Sequence, residues 1–285
     1  MTVSLATPAL VSADWAAEHL GDPGVRFVEV DVDTTAYDQG HLPGAVAWDW
    51  TSQLVDGIRR DIATPADLSA LLSRSGIGPD THIALYGDNN NWFAAWAYWQ
   101  LKLHGLERVS LVDGGRKLWL ARELPVTNEV PKYEPTGFTV EAPSYELRAF
   151  RDEILPRLGD PGLALVDVRS PAEYSGEILS PPGLSETAQR GGHIPGAASI
   201  PWAQAVREDG SFKSPDELAA LYAGKGITPD KDVVTYCRIG ERSSHSWFVL
   251  HEILGYPSVR NYDGSWTEWG SMVAVPIERG SPSAP

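Results

Sequence analysis

The sequence predicts an α/β protein built from two similar domains, each a mainly parallel sheet covered by helices on both faces. Three observations carry that expectation. Short β-rich runs alternate with helical patterns along the whole chain, the signature of βαβ units. The chain also repeats itself: Thr64-Pro65-Ala66-Asp67-Leu68 matches Ser214-Pro215-Asp216-Glu217-Leu218 at an offset of 150 residues. Finally, 285 residues with 42% hydrophobic content and 11 Trp are enough for two ordinary cores.

The repeat persists through Gly76-Ile77 and Gly226-Ile227, Tyr86 and Tyr236, Gly105 and Gly255, and Asp113-Gly114 and Asp263-Gly264. Upstream the offset shifts: Gly40-His41-Leu42-Pro43-Gly44-Ala45 answers Gly192-His193-Ile194-Pro195-Gly196-Ala197, and Asp31-Val32 answers Asp167-Val168. A period this long is a domain, since solenoid units run to roughly 20–50 residues. The domains are expected at 5–125 and 144–280, joined by a Pro-, Thr- and Glu-containing linker at 126–143 that runs over the surface.

The expected strands are Arg26–Val30, Ile83–Tyr86 and Ser110–Val112 in the first half, and Ala164–Val168, Asp232–Tyr236 and Ser258–Asn261 in the second. Thr64 and Ser214, each followed by Pro, read as N-caps with Pro at the first helical position. Gly105 and Gly255 read as C-terminal glycine caps. Trp92, Phe93, Trp96 and Trp99 recur at helical spacing and are read as one face of a buried helix.

A formal charge of -15 and a pI near 4.8 disfavour nucleic acid and anionic membranes, which are bound through an excess of Lys and Arg. Every hydrophobic run is broken too soon to span a bilayer. A single cysteine excludes an internal disulfide framework and, with seven scattered histidines, a Cys-rich zinc site, so neither metal nor cofactor is expected. With no leader pattern at Met1, the chain is read as cytoplasmic.

That cysteine, Cys237, is the candidate nucleophile. It follows the strand ending at Tyr236 and precedes Arg238-Ile239-Gly240-Glu241-Arg242-Ser243, a short loop opening a helix. In parallel sheets ligands bind beyond the carboxyl ends of strands. A helix N-terminus aims backbone N–H groups at one point, and with Arg238 and Arg242 alongside it favours a thiolate. Gly240 frees the loop backbone for unusual dihedrals. The bland alternative is a small buried hydrophobe. The first half carries Gly87 and Asp88-Asn89-Asn90-Asn91-Trp92 at the matching place, with neither nucleophile nor arginines. Its expected role is structural, with substrate contact by the asparagines as the alternative.

The duplicated domain, the Gly-His-Ile/Leu-Pro-Gly-Ala motif in each half, the cysteine in the second half alone, and the closing Asn261-Tyr262-Asp263-Gly264-Ser265-Trp266-Thr267-Glu268-Trp269 together resemble a tandem-domain rhodanese, a thiosulfate sulfurtransferase, of actinobacterial type. The resemblance covers nearly the whole chain. It implies that Cys237 attacks the outer sulfur of thiosulfate, releases sulfite and carries the sulfur as a persulfide. Cyanide, another small thiophile, a thiol or a protein acceptor then collects it. By the same resemblance the backbone from Arg238 to Ser243, through Ile239, Gly240, Glu241 and Arg242, cradles the persulfide. Arg242 closes the loop and Arg238 attracts the sulfonate.

By the resemblance, Asp167 and Arg169, at the end of the strand that opens the second domain, brace and charge the pocket. Asp167 reads chiefly as loop support, and Arg169 as either a pocket residue or a surface ion pair. Where vertebrate thiosulfate enzymes place a further basic residue, Glu173 stands here, and Arg190, Lys213 or Lys225 are the candidate substitutes. His193 and His41, shared by both halves, read as architectural. His245, one turn into the helix, is a weaker candidate for general acid or base work.

Two other enzymes and one carrier fit parts of this pattern. A 3-mercaptopyruvate sulfurtransferase would share the fold and cysteine but usually has a smaller, less basic loop. A cysteine phosphatase would need Cys-x5-Arg, and Cys237 to Arg242 is Cys-x4-Arg, a ring that suits one sulfur atom better than a phosphate. A persulfide carrier would hand its sulfur to a protein partner.

Overall fold

The structure, a computed structural model, describes residues 8–181 and 188–280. The chain divides between Ser144 and Tyr145 into two compact units, with the short segment Glu208–Ser211 grouping with the first. The start expected for the first domain, residue 5, lies outside the described residues.

In the first unit five strands, β1 Leu10–Val11, β2 Val25–Asp31, β3 Val46–Asp49, β4 His82–Tyr86 and β5 Val109–Val112, form one sheet in the order β1-β5-β4-β2-β3. Every pairing is parallel. In the second unit β6 Leu163–Asp167, β7 Ala198–Ser199, β8 Asp232–Tyr236 and β9 Val259–Asn261 form a parallel sheet in the order β7-β6-β8-β9. β2 and β4 are buried along their whole length, as parallel strands covered on both faces must be. All six expected strands are present, with ends that differ by one residue or less.

The ladder register corrects one correspondence between the halves. Glu29 pairs with Tyr86 and Asp167 pairs with Tyr236, so Asp167 is matched structurally by Glu29, and Arg169 by Asp31. The sequence had paired Asp31 with Asp167. Both are acidic residues near the end of a β-rich run, and a shift of two preserves the side-chain face, so alternation does not expose it.

The caps form as expected. Thr64 Oγ1 accepts from Asp67 N at the start of the helix Pro65–Arg74, and Ser214 closes a capping box with Glu217 at the start of Pro215–Ala223. Gly105 and Gly255 stand just past their helices at φ +74° and +65°. The helix Trp92–Leu103 departs from expectation: it is buried on nearly every side, because Ala94, Ala95, Ala97 and Gln100 are covered as well as the aromatic residues. Trp96 meets Trp50 and Trp99 edge-on.

The stretch 125–143 is irregular and laid along the first unit. Thr127 bridges His41, Tyr133 donates to Gly44 O at 2.7 Å while its ring covers Arg26, and Thr136 donates to Ile77 O.

The repeated histidines do one job twice. His41 stacks on Tyr37 at 3.6 Å with Nδ1 against Tyr37 O, and His193 stacks on Tyr174 at 3.6 Å with Nδ1 against Tyr174 O. Each therefore pins its Gly-His turn to the helix before it.

Candidate active site

β8 ends at Tyr236, and Cys237 begins the loop that opens the helix Glu241–Phe248. Gly240 caps that helix at φ +106°, a conformation that favours glycine, and it turns its own N–H onto the Cys237 sulfur at 3.1 Å. On the other side the Cys237 Sγ–H donates to Glu241 Oε2 at 3.3 Å. Cys237 is 0% exposed and Glu241 3%.

The loop is held from below by the closing segment of the chain. Ser265 Oγ accepts from Cys237 N at 3.0 Å, Trp266 N donates to Cys237 O, and Thr267 donates through both N and Oγ1 to Arg238 O. Gly240 O accepts from the hydroxyls of Ser243 and Ser244, and Asn261 ties both hydroxyls to β9 through its side-chain amide. Ser265 sits at φ +52°, left-handed backbone that a serine adopts only where its surroundings hold it. From sequence this segment stands out as a motif, while the braces Asn261, Ser265 and Thr267 do not, because polar residues of these types give no signal at the level of spacing.

The arginines are differently employed than expected. Arg242 forms a bidentate pair with Glu173, at 2.9 and 3.0 Å, with both side chains buried. Glu173 is itself set by a capping box with Ser170 at the start of the helix Pro171–Ser175. Arg242 thus ties the loop to Glu173, the residue that stands where a basic one was looked for. Arg169 is neither in a surface ion pair nor open to solvent: it is 1% exposed, grips Asp167 through Nε and Nη2, and donates to Gly192 O at 2.7 Å. Asp167 also accepts from Arg169 N, a loop brace. Arg190 is committed to the carbonyls of Gly270 and Met272. Lys225 is exposed and Lys213 half-buried. Arg238 and Ile239 are buried in the loop.

These pairings change the electrostatics at sulfur. A thiolate was expected; instead burial, and next the Glu241 carboxylate, push the Cys237 thiol up, outweighing the pull of Arg242 and Ser243. The helix N-terminus and arginine are present, but the arginine charge is already answered by Glu173. His245 is a neutral ring stacked on Phe212: burial drives it down to about 3, so near neutral pH it is not an imidazolium acid and is a weak base.

The matching loop of the first unit is closed to a nucleophile. A Cβ on Gly87 would lie 2.4 Å from Val30 O. Asn89, Asn90 and Asn91 follow in left-handed backbone at φ 50°, 53° and 62°, which asparagine tolerates better than most residues, and Asn91 ties Gly87 N to Val112 O. The asparagine run is therefore explained by backbone conformation. Among the described residues no group of His, Cys, Asp and Glu is placed to hold a metal ion, and no helix is long and apolar enough to cross a membrane.

Comparison with known proteins agrees with this layout. The rhodanese-like domain model matches twice, at residues 12–122 and 151–272. A provisionally named thiosulfate sulfurtransferase of Haloferax volcanii is 54% identical over 281 residues, covering 97% of this chain and 98% of that protein. Sulfur carrier protein TtuD of Thermus thermophilus is 53% identical over 275 residues, covering 95% and 96%. Among solved structures, SseA of Escherichia coli, a 3-mercaptopyruvate sulfotransferase, superposes with a TM-score of 0.78 at 29% identity, covering 91% of this chain and 99% of that one. An EanB variant with ergothioneine covalently linked to a cysteine persulfide superposes at 0.82 with 27% identity, covering 96% and 71%. With both halves matched and relatives above half identity along its length, the chain belongs to the rhodanese family of sulfurtransferases.

Proposed function

We propose that the chain is a thiosulfate sulfurtransferase that works through a persulfide on Cys237, with the second unit carrying the chemistry. The observation that carries this reading is the sulfur itself: Cys237 Sγ lies at a strand-to-helix junction and receives the Gly240 N–H at 3.1 Å, a donor suited to a sulfur that becomes anionic. The sulfur attacks the outer sulfur of thiosulfate, forming one S–S bond as the donor's own S–S bond breaks. The electron pair leaves with sulfite, and cyanide or another thiophile then removes the outer sulfur. The backbone of Arg238, Ile239, Gly240, Glu241, Arg242 and Ser243 cradles the persulfide. Asp167 and Arg169 support the cradle as a buried pair, and Arg238 draws in the sulfonate. The single cysteine suits a reducing compartment, the cytoplasm.

Thiosulfate is favoured over 3-mercaptopyruvate because the relative named for thiosulfate stands at 54% identity and the 3-mercaptopyruvate enzyme at 29%. A second reading, delivery of the persulfide sulfur to a protein acceptor, is favoured by the 53% identity to a sulfur carrier protein. The test is covalent: thiosulfate should make the intact chain heavier by one sulfur, about 32 Da, and leave Cys237→Ser unchanged. A wild-type mass that does not move would rule out both readings.

A further inference from the structure

Resting on that persulfide reading, we propose that the Glu241 carboxylate takes the Cys237 proton as sulfur is loaded, holds it through the persulfide state, and returns it when the sulfur leaves. The geometry has the two contacts this needs. Cys237 Sγ donates to Glu241 Oε2 at 3.3 Å and accepts from Gly240 N at 3.1 Å, so one sulfur faces a proton acceptor and an anion-stabilising donor. Both side chains are buried, which keeps bulk water from serving as base.

Two other charged groups of the site are paired elsewhere, and Arg238 is buried in the same loop. Arg242, on the same helix, stands 3.6 Å from Glu241 Oε1 through Nε while its two terminal nitrogens hold Glu173 of the helix Pro171–Ser175. Arg169, after β6, is held by Asp167. Glu241 is thus the carboxylate bonded to the sulfur, with Arg242 Nε beside its other oxygen.

Proton balance supports the role. Thiosulfate and cyanide anions become sulfite and thiocyanate with no net proton gained or lost, so a site that rests as a thiol must store its proton for half of each cycle. In the first half the Cys237 proton passes to Glu241 Oε2 as the sulfur lone pair forms the new S–S bond and sulfite departs with the old bonding pair. In the second half the acceptor's lone pair takes the outer sulfur. The S–S pair returns to Cys237, and the proton follows from Glu241. No oxidant or reductant is required.

The role is tested by single-turnover persulfide formation from thiosulfate, followed by intact mass from pH 6 to 9 in wild type, Glu241→Gln and Glu241→Asp. Wild type should load sulfur at a rate nearly flat in pH. Glu241→Gln should be slower by about 100-fold or more at pH 7, in the range general bases contribute, with a rate that climbs about tenfold per pH unit. Glu241→Asp should be slower than wild type yet equally flat. A carboxylate that merely raised the thiol would act oppositely, since its loss would ease ionisation. Loading by Glu241→Gln as fast as or faster than wild type at pH 7 overturns the inference, as does a steep pH dependence in Glu241→Asp. If wild type gains no sulfur, the proposed function itself fails, an outcome distinct from these.

Discussion

Removing Glu173 should make the second unit less stable and its thiol more reactive at once. In Glu173→Ala the buried Arg242 guanidinium loses both of its hydrogen bonds to Glu173, a change that typically costs about 3–5 kcal/mol for a broken internal pair. The capping box at Ser170 loses its reciprocal half, worth about another 1 kcal/mol. The sum, about 4–6 kcal/mol, is a large share of an ordinary domain's stability. The same change removes the carboxylate that answers the Arg242 charge, and Arg242 favours the ionised sulfur, so the thiol should ionise more readily. Urea unfolding followed by tryptophan fluorescence reads the first effect, and iodoacetamide alkylation of Cys237 against pH reads the second. A loss below about 1 kcal/mol, or an alkylation profile that stays in place, would refute the view that Glu173 both anchors Arg242 and offsets its charge.

Two further outcomes follow from the first unit. Gly87→Cys should destabilise that unit and take up no sulfur from thiosulfate, because its Cβ would press on Val30 O at 2.4 Å; intact mass of Gly87→Cys in a Cys237→Ser background reads this directly, and a gain of one sulfur would count against it. Asp31 is pushed up to about 8, by burial first and by Glu29 and Asp88 as well, against the pull of the Asp88 N–H. The folded chain therefore keeps a proton that the unfolded chain has already lost between roughly pH 4 and 8. Asp31 contributes full stability below that window and loses it as pH rises, by up to about 1.4 kcal/mol per unit. Asp31→Asn should flatten this slope and gain Tm over wild type from pH 6 to 9; parallel melting curves across that range would contradict it.

Much of the architecture was legible because it is written in local signals. Strand runs, the Thr64 and Ser214 caps and the glycines after helices act within a few residues of themselves, and each formed where expected. The position of Cys237 was legible for the same reason. Its protonation was not, since that depends on which carboxylates approach which cations. Arg242 reads from sequence as a free positive charge beside a cysteine, yet Glu173, 69 residues earlier, claims it, and Glu241 faces the sulfur itself. Arg169, open from sequence between a pocket residue and a surface ion pair, does form an ion pair, but with Asp167 two residues away and folded inward. The asparagine run was open to a substrate role until its backbone dihedrals gave it a simpler reason.

The most direct test is peptide mapping of the chain after brief exposure to thiosulfate, with 3-mercaptopyruvate in parallel. One added sulfur confined to the Cys237 peptide, appearing faster from thiosulfate and removed by cyanide as thiocyanate, is the expected result. A Cys237 peptide of unchanged mass, or one loaded faster from 3-mercaptopyruvate, would contradict it.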